Sequence, residues 1–130
     1  MKPAAIAFLG LLAACQQTQD HTQPGKALFE TRCASCHGHR AQGHGPLAAE
    51  LPVAPADLTR LAERNGGTFP HEAVMTQIYG YPGRHHLGLM PEFGPELSGA
   101  TVEWTAADGT TIATPAPLIA VVDYLVSIQQ

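Results

Sequence analysis

The sequence predicts a single all-α domain with long irregular loops and a candidate β-hairpin insertion near residues 101–113. The length of 130 residues fits one domain. Eleven prolines and thirteen glycines predict extended irregular segments between the helices. Aromatic residues make up only 6% of the chain, which is a thin supply for a core. The domain is therefore expected to need apolar bulk beyond its own side chains.

The N-terminus is predicted to be a targeting segment. Lys2 precedes a short apolar stretch over residues 4–11, which is too short to span a bilayer. Leu12-Ala13-Ala14-Cys15 then resembles a bacterial lipobox. The resemblance implies that residues 1–14 are removed and that Cys15 is lipidated and becomes the mature N-terminus. The alternative is an ordinary signal peptide cleaved near a chance cysteine.

The mature chain is predicted to open with a tether over residues 15–23, because this stretch is polar and has no apolar periodicity. Pro24 suits the start of a helix, where its missing N–H costs nothing. The folded domain is therefore expected over residues 24–130. Its first helix carries Gly25 and Phe29 four residues apart on one face.

That helix leads into Cys33-Ala34-Ser35-Cys36-His37. Two thiols three positions apart, followed at once by an imidazole, form the attachment motif of a c-type haem. Residues i and i+3 of a helical turn share a face, so both sulfurs can add to the vinyl groups on one porphyrin edge. His37 then supplies the proximal axial ligand to the iron.

Three alternatives for the motif are weaker. A redox dithiol needs a thioredoxin-like βαβ context, which the sequence does not predict. A zinc site needs two more ligands at a recognisable spacing, and the chain has no second Cys-x-x-Cys pair. A structural disulfide between Cys33 and Cys36 would leave His37 unexplained.

These residues resemble class I cytochromes c. The resemblance implies an all-α fold around one covalent haem c, in which Gly25 and Phe29 pack against the last helix, with Tyr124 at the contact. Gly45-Pro46-Leu47 is similar to the Gly-Pro-x-Leu run of that family, with one residue fewer. By resemblance, the Pro46 carbonyl accepts a hydrogen bond from the free ring nitrogen of His37 and raises its basicity.

Two helices are expected in the middle of the chain. Asp57 is predicted to cap a helix over residues 58–64, which Asn65-Gly66-Gly67 ends. The second helix covers residues 70–79 and ends at Gly80. Met75 lies within it, and a methionine at helical spacing is usually part of the core.

Met90-Pro91 resembles the distal ligand loop of class I cytochromes c. A thioether is a soft ligand that binds ferrous iron well and raises the potential, and the proline stiffens the loop that presents it. Met90 is therefore the predicted distal ligand, with Met75 as its competitor. The alternative is His85 or His86, which would give bis-histidine ligation and a lower potential.

The C-terminal part is predicted to contain the hairpin and the last helix. Strand-like runs at residues 101–105 and 110–113 flank Asp108-Gly109, a turn signal. Thr114 is expected to cap the last helix and Pro115 to begin it. One face of that helix is apolar, with Leu118, Val121, Val122, Leu125 and Val126.

The expected function is single-electron transfer by a haem with His37 and Met90 as axial ligands. The net charge of −4 offers no basic surface for a nucleic acid, and no small-molecule substrate is expected. The partners are a redox protein donor, a redox protein acceptor and the membrane that holds the lipid on Cys15. The chain is expected to be a periplasm-facing lipoprotein of the cell envelope.

Two further expectations concern location and role. Gln16 after the lipidated cysteine favours the outer membrane if the source is Gram-negative. The alternatives to a carrier are a haem subunit of a membrane-associated oxidoreductase and a peroxidase-like or gas-binding haem protein.

We expect mass spectrometry of the native protein to find Cys15 as an acylated N-terminus. Cys15→Ser should abolish lipid attachment, because the thiol that carries the lipid is gone. Two or three acyl chains are enough to hold a protein stably at a membrane, so the substitution should also release the protein from membranes. An unmodified N-terminus at another residue would contradict the prediction.

Overall fold

The computed structural model describes residues 21–80 and 88–130. Cys15, the predicted signal peptide, most of the predicted tether, and His85 and His86 lie outside these ranges. No helix within them is long and apolar enough to cross a membrane. The elements are α1 (Thr22–Arg32), α2 (Ala34–His37), 3-10 turns at Ala48–Glu50 and Leu58–Arg60, α3 (Leu61–Arg64), α4 (His71–Tyr79), β1 (Thr101–Thr105), β2 (Thr111–Pro115) and α5 (Ala116–Ser127).

The predicted fold class is confirmed: the domain is mostly helical, and its described strands form one small antiparallel hairpin. The apolar core is built mainly from α1, α4 and α5. Its fully buried large side chains include Phe29, Leu118 and Val122. Met75 is only 3% exposed and belongs to this core, as the helical spacing predicted.

The closest helix contact is the crossing of α1 and α5. A Cβ added to Gly25 would overlap the Ala120 carbonyl oxygen, so only glycine allows the two backbones to lie so close. One turn later, the rings of Phe29 and Tyr124 lie 5.3 Å apart at a tilt of 49°. The structure therefore confirms the crossing that the resemblance implied, including Tyr124 at the contact.

Helix α1 begins at Thr22, two residues before the predicted start at Pro24. Thr22 and Gln23, assigned to the tether from the sequence, form its first turn. Proline is tolerated there because the first four N–H groups of a helix have no intrahelical partner. The backbone N–H of Gly25 bonds to the His21 carbonyl at 3.0 Å and closes this turn.

The two middle helices lie where the sequence predicts them. Asp57 caps the first, and its carboxylate accepts a hydrogen bond from the Thr59 N–H at 2.9 Å. The predicted continuous helix is instead a 3-10 turn followed by α3. Helix α4 ends at Gly80, whose φ of 73° gives the left-handed C-cap that glycine adopts without strain.

The predicted capping role of Thr114 is wrong. Thr114 lies in β2 opposite Val102 and is fully buried, and its hydroxyl donates to the Ile112 carbonyl at 3.0 Å. The cause is the hairpin register, which continues the pairing as far as Thr101 and Pro115. Because residue 114 is held in the strand, Pro115 becomes the N-cap of α5 and no side chain caps that helix.

We expect Gly25→Ala to destabilise the haem-loaded protein by about 1–3 kcal/mol, because the added methyl group overpacks the helix crossing. Denaturant unfolding measures the change. Lys26→Ala is the matched control, since Lys26 is exposed on the same helix and its ion pair with Glu30 is long, at 3.9 Å. The control should change stability by less than about 0.5 kcal/mol.

The sign of the Gly25→Ala effect is decisive. In a helix that packs loosely, alanine would stabilise by about 1 kcal/mol relative to glycine through its higher helix propensity. A stabilised variant would therefore contradict the tight crossing.

Candidate haem site

The two motif cysteines and His37 lie on one helical turn that continues directly from α1. The Cys33 N–H bonds to the Phe29 carbonyl at 2.9 Å, and the Cys33 carbonyl in turn accepts the N–H of His37 at 2.9 Å. Cys33 and Cys36 are half-buried free thiols. A buried core residue therefore fixes the start of the turn, and the spacing of three residues places both sulfurs on one face.

The ring of His37 is oriented by a backbone carbonyl. Its Nδ1 lies 3.0 Å from the carbonyl oxygen of Ala56, and only a protonated Nδ1 can donate to that oxygen. Burial lowers the pKa of His37, so the neutral imidazole is favoured. In that tautomer Nε2 keeps its lone pair and is available to a metal.

The hydrogen-bond partner predicted for His37 was wrong. Pro46 lies in an exposed part of the loop that follows the motif, and the acceptor is Ala56, nineteen residues after His37. The reason is the path of the chain, which leaves the motif, turns through residues 38–47 and returns beside the imidazole at residues 55–58. The Leu58 N–H marks this return by bonding to the Ala41 carbonyl at 2.7 Å.

The environment of Cys33 is unlike that of a redox-active thiol. Burial, together with the neighbouring Cys36, raises the pKa of Cys33 to about 11. Catalytic and metal-binding cysteines have lowered pKa values that favour the thiolate. The electrostatics therefore do not support the redox-dithiol alternative.

The loop after the motif packs closely on the turn that carries the cysteines. The Gly45 N–H bonds to the Cys36 carbonyl at 3.0 Å, and the Leu47 N–H bonds to the Ser35 carbonyl at 2.9 Å. A Cβ on Gly45 would overlap the Ser35 carbonyl oxygen. Because Gly45 has no side chain, this loop can pack directly against the backbone of the turn that carries the cysteines.

The predicted distal ligand, Met90, is half-buried and packs against the same apolar core cluster as Cys33. Its loop is attached to the end of α4, where the Phe93 N–H bonds to the Ile78 carbonyl at 2.8 Å. Met75, the competing methionine, is a buried core residue on α4. The alternative ligands His85 and His86 fall outside the described residues.

The donor set fits a c-type haem. Two unpaired thiols share one face of a helical turn. The imidazole that follows them is held through Nδ1 by the Ala56 carbonyl, and burial lowers its pKa, which favours the neutral form. Within residues 21–80 and 88–130, no group of three or more His, Cys, Asp or Glu side chains could hold a metal ion by itself. Cys33, Cys36 and His37 are the residues that would hold the haem.

Ala56 is the site residue that the sequence did not reveal. It contributes a backbone carbonyl, and its side chain carries no signal of that role. The available signal was the neighbouring cap residue Asp57, which predicts a rigid turn at this point of the chain.

Comparison with known proteins gives two matches. The family described as cytochrome c oxidase, cbb3-type, subunit III matches residues 20–107. Cytochrome c-554(547) of Halothiobacillus neapolitanus is 44% identical over 46 residues, which cover 34% of this chain and 50% of that protein. The chain is thus aligned with half the length of that relative. No solved structure gives a significant match.

We expect the haem to stay with the polypeptide when the protein is denatured in acid and organic solvent. Thioether bonds to Cys33 and Cys36 survive this treatment, whereas a haem held only by axial ligands is extracted. The double substitution Cys33→Ala and Cys36→Ala should make the haem extractable, while Cys15→Ser should not. Extraction of haem from the unaltered protein would contradict covalent attachment.

Proposed function

This chain belongs to the family of c-type cytochromes described as cytochrome c oxidase, cbb3-type, subunit III, and from that membership we propose that it passes single electrons between redox proteins at the cell envelope. Members of this family carry one covalent haem c, and so does this chain. When bound, the haem iron supplies the one-electron couple. The finer proposal is that Cys33 and Cys36 attach the haem and that His37 and Met90 are its axial ligands.

The observation that carries this proposal is the hydrogen bond between His37 Nδ1 and the Ala56 carbonyl, at 3.0 Å. It fixes the tautomer that leaves Nε2 free, and it raises the electron-donating strength of the ring. The same hydrogen bond prevents the ring from rotating. A ligand that is held in one orientation in both oxidation states keeps the reorganisation small during electron transfer.

Met90 supports a carrier role through the chemistry of its sulfur and the anchoring of its loop. A thioether stabilises ferrous iron and so raises the reduction potential. The hydrogen bond from Phe93 to Ile78 holds the loop three residues beyond Met90. With both axial positions filled by side chains, the iron would have no open position for a substrate.

The proposed location is the periplasmic side of a membrane, with the lipid on Cys15 as the anchor. Helix α1 begins at Thr22, seven residues after Cys15. A fully extended chain spans at most about 3.3–3.6 Å per residue, so these residues would reach about 25 Å at most. Such a short tether supports partners that lie in or on the same membrane. Gln16 favours the outer membrane in a Gram-negative source.

A second candidate function is that of a haem subunit in a membrane-associated oxidoreductase. The observation that favours it is the family description, which names a subunit of an oxidase. Purification from membranes in mild detergent distinguishes the two roles. A subunit would stay with a catalytic partner at a fixed ratio, whereas a carrier would separate from it as salt is raised.

A peroxidase-like or gas-binding activity would require a sixth position that opens readily. Carbon monoxide added to the reduced protein tests this directly. A carrier with Met90 bound should show little change in its absorption spectrum. A strong response, or rapid turnover of peroxide by a high-spin iron, would replace the carrier function with this one.

We expect the oxidised protein to show a sulfur-to-iron charge-transfer band and a positive reduction potential. Met90→Ala should abolish the band, lower the potential and open the iron to added ligands, because the thioether is removed. The haem should stay attached through Cys33 and Cys36. Absorption spectroscopy with potentiometry measures all three effects.

Met75→Leu is the matched control for Met90→Ala. It replaces a buried core methionine by a side chain of similar volume, and such changes typically cost under about 1.5 kcal/mol of stability. The charge-transfer band should persist. If Met75→Leu removes the band and Met90→Ala keeps it, the ligand assignment is wrong.

A further inference from the structure

Ala56 is exposed, yet its carbonyl holds the ring of His37. Contacts of Pro55 and Leu58 fix the chain on either side of it. On one side, the Pro55 carbonyl lies so close to Gly43 that a Cβ at position 43 would overlap it. On the other side, the Leu58 N–H bonds to the Ala41 carbonyl at 2.7 Å. The position of the Ala56 carbonyl is therefore set by contacts of its neighbours.

Ala41 shows that this arrangement is maintained against strain. Its φ of 57° is left-handed, and among residues 21–80 and 88–130 no other non-glycine residue has a positive φ. It is also completely buried. A left-handed conformation strains an alanine, because its Cβ approaches the backbone, and such strain persists only where the surrounding contacts fix the backbone. Here the conformation directs the Ala41 carbonyl to the Leu58 N–H.

Asp57, the residue that follows Ala56, closes a turn with Thr59. Its carboxylate accepts hydrogen bonds from the Thr59 N–H at 2.9 Å and the Thr59 hydroxyl at 2.6 Å. The hydrogen bond from the hydroxyl is the main cause that lowers the pKa of Asp57. The Arg64 guanidinium donates to the Asp57 carbonyl at 2.5 Å. The hydrogen bonds of Asp57 with Thr59 and Arg64 thus fix the chain immediately after the Ala56 carbonyl.

Gln129, just beyond the end of α5, ties this turn to the core. Its Nε2 donates to the Leu58 carbonyl at 2.8 Å and to the Leu125 carbonyl at 2.7 Å, and its Oε1 accepts the Ala62 N–H at 2.9 Å. One amide side chain therefore links Leu125 of α5 to Leu58, at the start of the 3-10 turn, and to Ala62 in α3. The neighbouring Gln130 contributes only its backbone N–H, which bonds to the Thr59 carbonyl at 3.0 Å.

We propose that Gln129 and Asp57 are positioning residues for the axial histidine: by fixing the turn at residues 57–62 they hold the Ala56 carbonyl on Nδ1 of His37 and thereby tune the reduction potential. This inference rests on the proposed axial role of His37. A firm hydrogen bond at Nδ1 raises the basicity of the ligating imidazole, and a stronger donor favours oxidised iron. Loosening the turn therefore weakens the hydrogen bond and moves the potential upward.

The test is Gln129→Ala in the haem-loaded protein, with two readouts. The first is the rate at which the His37 ring N–H exchanges with deuterium, followed by NMR on protein with 15N-labelled histidine. The second is the midpoint potential. We expect exchange at least tenfold faster than in the unaltered protein, and a potential shifted in the positive direction.

Two matched controls separate positioning from general loosening. Gln130→Ala removes the adjacent glutamine side chain but keeps the backbone N–H that bonds to Thr59. Ser127→Ala removes a hydroxyl whose hydrogen bond, to the Tyr124 carbonyl at 2.7 Å, stays within α5. Both should leave exchange within twofold of the unaltered protein and the potential unchanged. Equal effects of Ser127→Ala and Gln129→Ala would overturn the proposal.

A second pair of variants keeps the proposal testable if Gln129→Ala fails to fold. Asp57→Ala removes the acceptor for both Thr59 groups, whereas Asp57→Asn retains one acceptor oxygen. We expect Asp57→Ala to accelerate exchange and raise the potential, and Asp57→Asn to recover most of both properties. No difference between the two variants would count against the proposal.

The outcomes distinguish this inference from the proposed function. If Gln129→Ala and Asp57→Ala keep wild-type exchange and potential while the charge-transfer band is present, the positioning role fails and the carrier function stands. If the unaltered oxidised protein shows no paramagnetically shifted His37 ring signals, His37 is not an axial ligand. The proposed function then fails, and this inference fails with it.

Discussion

The close approach of α1 and α5 at Gly25 is the contact on which the rest of the structure depends. It lets Phe29 pack fully buried against Tyr124 one turn later, and the Phe29 carbonyl then accepts the N–H of Cys33. The direction in which the attachment motif leaves α1 is therefore set by the core. Because the turn that carries both thiols continues directly from α1, a change at the crossing also affects that turn.

Both ends of the helix pair contribute to the geometry around His37. Helix α1 leads directly to the turn that carries the imidazole, while α5 supports the opposite side through Gln129, which binds the segment after Ala56. His37 thus lies between the helical turn that continues from α1 and the segment that Gln129 binds through its side-chain amide.

The parts predicted correctly from the sequence depend on local chemistry. Asp57 caps a helix through its own carboxylate, and Gly80 forms a left-handed C-cap because it lacks a Cβ. The errors concern long-range placement. The acceptor for His37 is a backbone carbonyl selected by the path of a loop, so Pro46 and Ala56 could not be told apart from residue types. Thr114 has the chemistry of a cap, but the strand register, set by pairing with Val102, overrides it.

The hairpin insertion is coupled to the site through α5. Its second strand runs without a break into that helix, and the Ala116 N–H bonds to the Ala100 carbonyl at 2.8 Å. Trp104 on β1 lies 6.4 Å from the ring of His71 at the start of α4, so the hairpin is also held against the core. Because a helix is rigid along its axis, the hairpin fixes where α5 begins and therefore where Gln129 meets Leu58.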